Sequence, residues 1–177
     1  CSLRPHERKL TFSAVFEITP LARVVTRWFG RTIIDSDYRF AYEGAQTIIE
    51  EGKVVKGYET SVDGVTTVVP DEVQEAVLVL NKLASKFRKK RFASGAISFE
   101  RPEMKVEVDE TGKPVGVYQK ISKEANWLIE EFMLLANRCV AEFVATGANL
   151  DKDGYAVVGK APAKGWKEEK TFVYRVH

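Results

Sequence analysis

Apolar and polar residues alternate from Leu10 to Ile18, where Phe12, Ala14, Phe16 and Ile18 share one side, the period-two pattern of a half-buried strand. Arg23 to Ile34 reads the same way. Asp35 or Ser36 is placed to cap a helix that runs to about Glu51, and Gly52 to Pro70 is irregular, with room for short strands. A second helix is predicted from Asp71 to about Phe92, with Asp71, Glu72 and Glu75 in its first turns and basic residues at its end, an order that suits the helix dipole. Gly95 breaks it. Three short strands follow, at Ala96 to Phe99, Met104 to Val108 and Val115 to Gln119, with Glu110, Thr111, Gly112 and Lys113 as the turn between the last two. After the next helix, Thr146 to Lys170 is rich in Gly, Ala, Lys and Asp and reads as a mobile surface connection, before a final strand at Phe172 to Val176.

The helix between them, EANWLIEEFMLLANRCVAEF at 124–143, is apolar nearly all round and is expected to be buried on several sides. It nevertheless carries Asn126, Glu130 and Asn137, whose spacings of four and seven bring them to one narrow stripe. A carboxylate on such a helix must be paired, hydrogen-bonded or set in a wet cleft, because an isolated buried charge costs several kcal/mol or more. Glu130 is therefore a site candidate. The plainer reading is an acid favouring the first turns of a helix, and that reading is preferred for Glu131, which points toward Arg138 and Glu142 on the charged face.

A chain of 177 residues, 45% hydrophobic and 11% aromatic, can bury one core, so one compact unit or most of one is expected. Its charges nearly balance at a net +2, which does not single out a nucleic-acid binder. The densest basic cluster, Lys86, Arg88, Lys89, Lys90 and Arg91, reads as a solvated helix end in preference to an RNA track. No apolar run is long enough to span a bilayer and no signal peptide opens the sequence, so a cytoplasmic protein without membrane partners is expected. Cys1 and Cys139 make no metal or redox spacing, and Cys139 reads as a small core residue.

Phosphate-loop, dinucleotide-binding, H-E-x-x-H and paired C-x-x-C motifs are absent, and with only His6 and His177 present histidine acid–base chemistry is not expected. Asp35 and Asp37 form a D-x-D that could hold a divalent ion, although such residues at the mouth of a helix are more often caps. The blocks CSLRP, TFSAVFEI, IIDSDYRFAYEGAQ, GAISFERPE, EANWLIEEFMLLANR and KTFVYRVH, in this order, resemble the catalytic (RNB) domain of the ribonuclease II/ribonuclease R family, closest to bacterial ribonuclease R. The resemblance covers all but 146–170. It implies a processive 3′ to 5′ exoribonuclease that uses Mg2+ to hydrolyse single-stranded RNA from its 3′ end to nucleoside 5′-monophosphates, in a polypeptide with flanking RNA-binding β-barrels.

The family's magnesium-binding aspartates lie before the CSLRP block and its transition-state arginine after the KTFVYRVH block, so residues 1–177 are expected to be an internal part of the domain, inactive alone, with no metal ligands. Three residues carry over. The glutamate of the A-N-x-x-x-E-E run, which contacts the 3′-terminal ribose in the catalytic site, is Glu130; the tyrosine that helps tell RNA from DNA is Tyr42; the phenylalanine that clamps the terminal bases is Phe99. An ionised carboxylate can accept from a 2′-hydroxyl, a phenol can accept or donate, and an aromatic ring stacks on any base. Without the resemblance, Phe99 would be read as core and Tyr42 as helix packing. The expected fold is α+β, a curved, mostly antiparallel sheet packed against the long buried helix at 123–146, with 147–170 a mobile loop. The alternative function is a non-catalytic RNA-binding or scaffold module.

Overall fold

A computed structural model describes residues 3–97, 103–109, 111–146 and 156–157. The order is β1 (Arg8–Ile18), β2 (Val24–Asp35), α1 (Tyr42–Glu51), β3 (Glu59–Val62), β4 (Val65–Val68), α2 (Asp71–Ala93), β5 (Glu103–Val108), β6 (Pro114–Lys120), α3 (Glu124–Thr146) and β7 (Ala156–Val157). The architecture is α+β, and every pairing between these strands is antiparallel. Among the described residues the strands form three separate sheets, β1-β2-β7, β3-β4 and β5-β6, and α1 and α2 both pack against α3.

β1 and β2 pair from Arg8 opposite Asp35 to Ile18 opposite Val24. Their alternation puts Phe16 and Phe29 on one face, where they continue into Phe143 of α3 through ring contacts of 6.0 and 5.2 Å between centroids. Leu10, Phe12 and Ile33, farther along the same face, stay exposed. The long ladder also corrects the expected helix start. Asp35 is the last residue of β2, and the backbone N–H of His6 donates to the Ser36 carbonyl at 2.8 Å, so this segment is held extended. α1 begins only at Tyr42, with Ala41 at its N-cap and no side-chain cap bond.

Turn chemistry sets the two small hairpins. Asp63 and Gly64 join β3 to β4 with φ of 53° and 80°, the two positive values of a tight turn whose twist matches its strands. In the β5–β6 turn the Asp109 carboxylate accepts from the Thr111 hydroxyl at 2.6 Å and from the N–H groups of Thr111 and Lys113 at 2.8 and 3.0 Å. Those bonds, the Thr111 hydroxyl foremost, hold the Asp109 pKa below the usual carboxylate range. Ala96 and Ile97 are not in a strand, and the rest of the two expected strands at 96–99 and 172–176 lies outside the described residues. Within the expected loop at 147–170, Val157 and Ala156 pair with Thr26 and Arg27 of β2.

The apolar core is small, and buried polar side chains join its parts. Gln74, with no exposed surface, receives the Val55 N–H at 2.9 Å and donates to the Val55 and Val69 carbonyls at 3.0 and 3.1 Å, tying α2 to the chain on either side of β3 and β4. At Gly44 of α1 an added Cβ would collide with Thr60 of β3, so only glycine permits this approach. Between α2 and α3, Phe87 meets Phe132 edge-to-face at 5.9 Å. Beside that contact the Glu131 side chain, 2% exposed, takes three hydrogen bonds from Arg91, from Nη2 at 2.5 Å and from Nε at 3.1 and 3.3 Å. Arg88 stands 3.9 Å from the same carboxylate, its guanidinium 4.5 Å over the Trp127 ring. Glu131 thus turns to α2 and not to Arg138 and Glu142, because only the two α2 arginines can offset the desolvation of a charge at that depth.

Replacing Arg91 with Ala should lower stability by about 3 kcal/mol, since it leaves the Glu131 carboxylate buried with only the more distant Arg88. Glu130→Ala, one residue along the helix, should stay within about 0.5 kcal/mol of the parent. Urea denaturation of both variants checks this, and similar losses for the two would refute the assignment of the stabilising pair to Glu131.

Candidate functional site

α3 is anchored at its start by polar contacts that organise the face above them. The Ala125 N–H donates to Gln46 Oε1 of α1 at 2.9 Å, and Gln46 Nε2 donates to Glu124 at 2.8 Å. The Asn126 side chain accepts from the Lys123 N–H at 3.1 Å, the back-bond of a capping box. Asn126 is thereby committed to the helix start. One turn on, the Glu130 side chain is 48% exposed, and its Oε1 accepts from Arg91 Nη2 at 3.1 Å. Asn137 is exposed farther along.

The stripe that the spacing predicts is therefore present, but it faces outward. Ala125, Leu128, Glu131, Leu135 and Cys139 form the covered side of α3, while Ile129, Met133 and Leu134 are exposed beside Glu130. The helix is not buried on several sides in this chain. Its apolar residues cover two flanks, and α1, α2 and the β1–β2 hairpin occupy one. The buried carboxylate of the E-E pair is Glu131, and Glu130 is the accessible one.

Tyr42 opens α1 with its side chain about half exposed. The extended residues before it place Tyr38 and Phe40 with ring centroids 4.7 Å apart. No hydrogen bond joins Tyr42 to Glu130 among the described residues, and Phe99 lies outside them. The D-x-D caps no helix: Asp35 sits 3.9 Å from Arg8. Among the described residues no three His, Cys, Asp or Glu side chains come together as metal ligands.

The basic cluster is mostly consumed within the fold. Lys86 Nζ donates to the Pro20 carbonyl at 2.6 Å, and Lys90 Nζ to the Leu21 and Ala22 carbonyls at 2.8 and 2.9 Å, where the β1–β2 turn exposes three carbonyls around the left-handed Ala22. Arg88 and Arg91 turn to α3. The cluster is thus not simply a solvated end, and Arg91, which orients Glu130, is the candidate residue that the sequence reading missed. Its signal was the spacing. Positions 86 and 90 fall on one helix face and 88 and 91 on another, each needing its own partner.

No helix of the described residues is long and apolar enough to cross a membrane. The family model for the RNB domain matches residues 1–164. DIS3-like exonuclease 2 of Caenorhabditis elegans is 41% identical over 145 residues, an alignment that covers 82% of this chain and 17% of the relative. For the exosome complex exonuclease dis3 of Schizosaccharomyces pombe the identity is 34% over 143 residues, with 80% and 13% covered. Ribonuclease R of Mycoplasma genitalium, solved with ribose-methylated single-stranded RNA, superposes with a TM-score of 0.67 at 20% identity over 85% of this chain and 22% of that one, a likeness of fold. The chain spans less than a fifth of the length of the curated relatives it matches. With the family model matched over most of its length, and the fold shared with ribonuclease R, this chain belongs to the RNB domain family.

Proposed function

We propose that this chain is part of a processive 3′ to 5′ exoribonuclease acting in the cytoplasm on single-stranded RNA, and that its residues position the RNA for release of nucleoside 5′-monophosphates. The observation that carries the reading is the standing of Glu130. Its carboxylate is exposed, Arg91 orients one oxygen, and the other accepts no hydrogen bond among the described residues. A group so held can accept from a ribose 2′-hydroxyl, which deoxyribose lacks. The exposed phenol of Tyr42 suits a second sugar contact, and Phe99 supplies the stacking ring. The exonuclease names of the relatives support the reaction class. Flanking RNA-binding β-barrels of the same polypeptide are part of the proposal. Magnesium is part of the proposal as a requirement of the whole enzyme, with its ligands proposed to lie outside this chain.

A second reading, a non-catalytic RNA-binding or scaffold module, is favoured by one relative: the inactive exonuclease DIS3L2 of Arabidopsis thaliana, 34% identical over 145 residues. Mononucleotide release from labelled RNA by the intact polypeptide with magnesium separates the two readings.

Three outcomes are expected. The purified 177-residue chain should release no mononucleotides from RNA with magnesium, and contaminant-free release would show that it holds its own metal ligands. In the intact enzyme, Glu130→Ala and Tyr42→Ala should weaken the preference for RNA over matched DNA more than total binding, a hydrogen bond to a charged group being worth roughly 1.5 to 3 kcal/mol. Equal kinetic losses on both polymers would assign the two residues to folding. Phe99→Ala should cost about 1 to 3 kcal/mol of binding to short single-stranded RNA through lost stacking. A stability loss of about 3 to 5 kcal/mol with RNA affinity unchanged would instead place Phe99 in the core.

A further inference from the structure

Behind Arg91 a cleft of about 810 Å³ opens between the β1–β2 turn, the end of α2 and α3. Five cationic side chains line it, Arg23, Arg27, Lys90, Arg91 and Arg138, against two carboxylates, Glu131 and Glu142. Both carboxylates are engaged. Glu131 is taken by Arg91, and Glu142 by Arg27 at 2.8 Å, with Arg138 at 3.8 Å. Lys90 spends its hydrogen bonds on neutral carbonyls, which offset none of its charge, and Arg23 makes no ion pair among the described residues. The end of α2 adds roughly half a negative charge, which does not cancel an excess of three positive ones.

Arg27 is the most deeply set of these cations. The Arg27 side chain is 9% exposed, yet its Nε has no hydrogen-bond partner among the described residues. Nε itself is closed off from solvent and the Cys139 thiol lies beside the guanidinium, so Arg27 contributes positive charge to the cleft wall and not a donor to its contents. Phe87, Leu134 and Leu135 give the cleft an apolar wall, which accommodates a ligand with an unsaturated or sugar portion as well as its charge.

We infer that this cleft is a phosphate-binding site, whose ligand is either a phosphodiester of a nucleic-acid strand or the phosphate of a free nucleoside monophosphate. The site is defined by its own geometry and rests on the exoribonuclease reading only for RNA as the polymer. Arg23 and Arg138 are its adjustable cations: both are exposed, and among the described residues only Arg138 has a carboxylate neighbour, at the long distance above. Arg27 and Arg91 are the fixed ones.

Fluorescence anisotropy of a labelled oligoadenylate on the 177-residue chain tests the inference, with adenosine 5′-monophosphate, inorganic phosphate and adenosine as competitors. The Arg23→Glu/Arg138→Glu double variant should weaken the phosphate-bearing ligand at least about tenfold and, for RNA, flatten the dependence of log affinity on log salt by about 1.4, the slope lost with two phosphate contacts on a single strand. Lys89→Glu, an exposed charge reversal on α2 outside the cleft, should change affinity less than about twofold. Phosphate and the monophosphate should compete where adenosine does not. RNA affected without the monophosphate identifies a strand site, and the reverse identifies a nucleotide site; both sustain the inference. Unchanged binding in the double variant, or an equal loss with Lys89→Glu, overturns it. If the double variant behaves as expected while Glu130→Ala leaves the RNA preference intact, the exoribonuclease assignment of Glu130 fails and the phosphate site stands.

Discussion

The ion pair of Glu131 with Arg91 is the constraint around which the helical half of the structure is arranged. A carboxylate 2% exposed is tolerable only with its hydrogen bonds made and its charge balanced, and α2 meets both needs with one bidentate arginine and a second arginine behind it. That requirement fixes the rotation of α3 about its axis. With Glu131 turned inward, the residue before it must face outward, and because Arg91 Nη2 spans both carboxylates, the same guanidinium that closes the helix interface also aims Glu130. Packing and site geometry are consequences of one contact.

Polar anchoring of this kind recurs because the apolar core is thin. Several of its most buried hydrophobic residues are alanines, at 22, 84 and 125, each of which removes little apolar surface from water. Gln46 joins α1 to the start of α3, Gln74 joins α2 to the chain around β3 and β4, and Lys86 and Lys90 hold the β1–β2 turn against α2. Meanwhile Leu10, Phe12 and Ile33 on one hairpin, and Met104, Val106 and Val117 on another, remain exposed. Directional hydrogen bonds therefore set the relative placement of elements whose apolar faces are only partly covered. Such contacts tolerate less displacement than oil-like packing does.

Much of the fold was legible in the pattern. Period-two alternation located β1 and β2, the acid-first, base-last order located α2, and the Thr-Gly-Lys stretch located the β5–β6 turn. The Asp63–Gly64 turn is equally available, since an Asp-Gly pair between valines is a hairpin signal, while β3 and β4, with four residues each, are too short for alternation to mark them as more than possible strands. The start of α1 was misplaced because a capping residue and the end of a strand look alike locally, and pairing with Arg8, remote in sequence, decided that Asp35 belonged to the strand. The site was harder for a related reason. Spacing correctly put Asn126, Glu130 and Asn137 on one stripe of α3, but a helix apolar on two flanks does not say which flank its neighbours cover. Deciding that Glu131 is the buried acid requires knowing where Arg88 and Arg91 lie, and those arginines read from sequence as a charged helix end.

The shared arginine also resolves an electrostatic difficulty in the proposed site. A carboxylate placed beside the 3′ end of RNA faces a polyanion, and at about 4 Å and an effective dielectric of about 20 two like charges repel by roughly 4 kcal/mol. That is larger than the gain from a hydrogen bond between the carboxylate and a 2′-hydroxyl, which is about 1.5 to 3 kcal/mol. An unpaired Glu130 would therefore tend to expel the ligand proposed for it. Arg91, 3.1 Å from Glu130 and 2.5 Å from Glu131, puts one positive charge between two negative ones, and Arg88, 3.9 Å from Glu131, brings the four groups to neutrality. The outer carboxylate keeps its accepting oxygen while its field is largely cancelled. The buried pair thus sets where Glu130 points and, in the proposed role, lowers the repulsion that a nucleic acid would meet there.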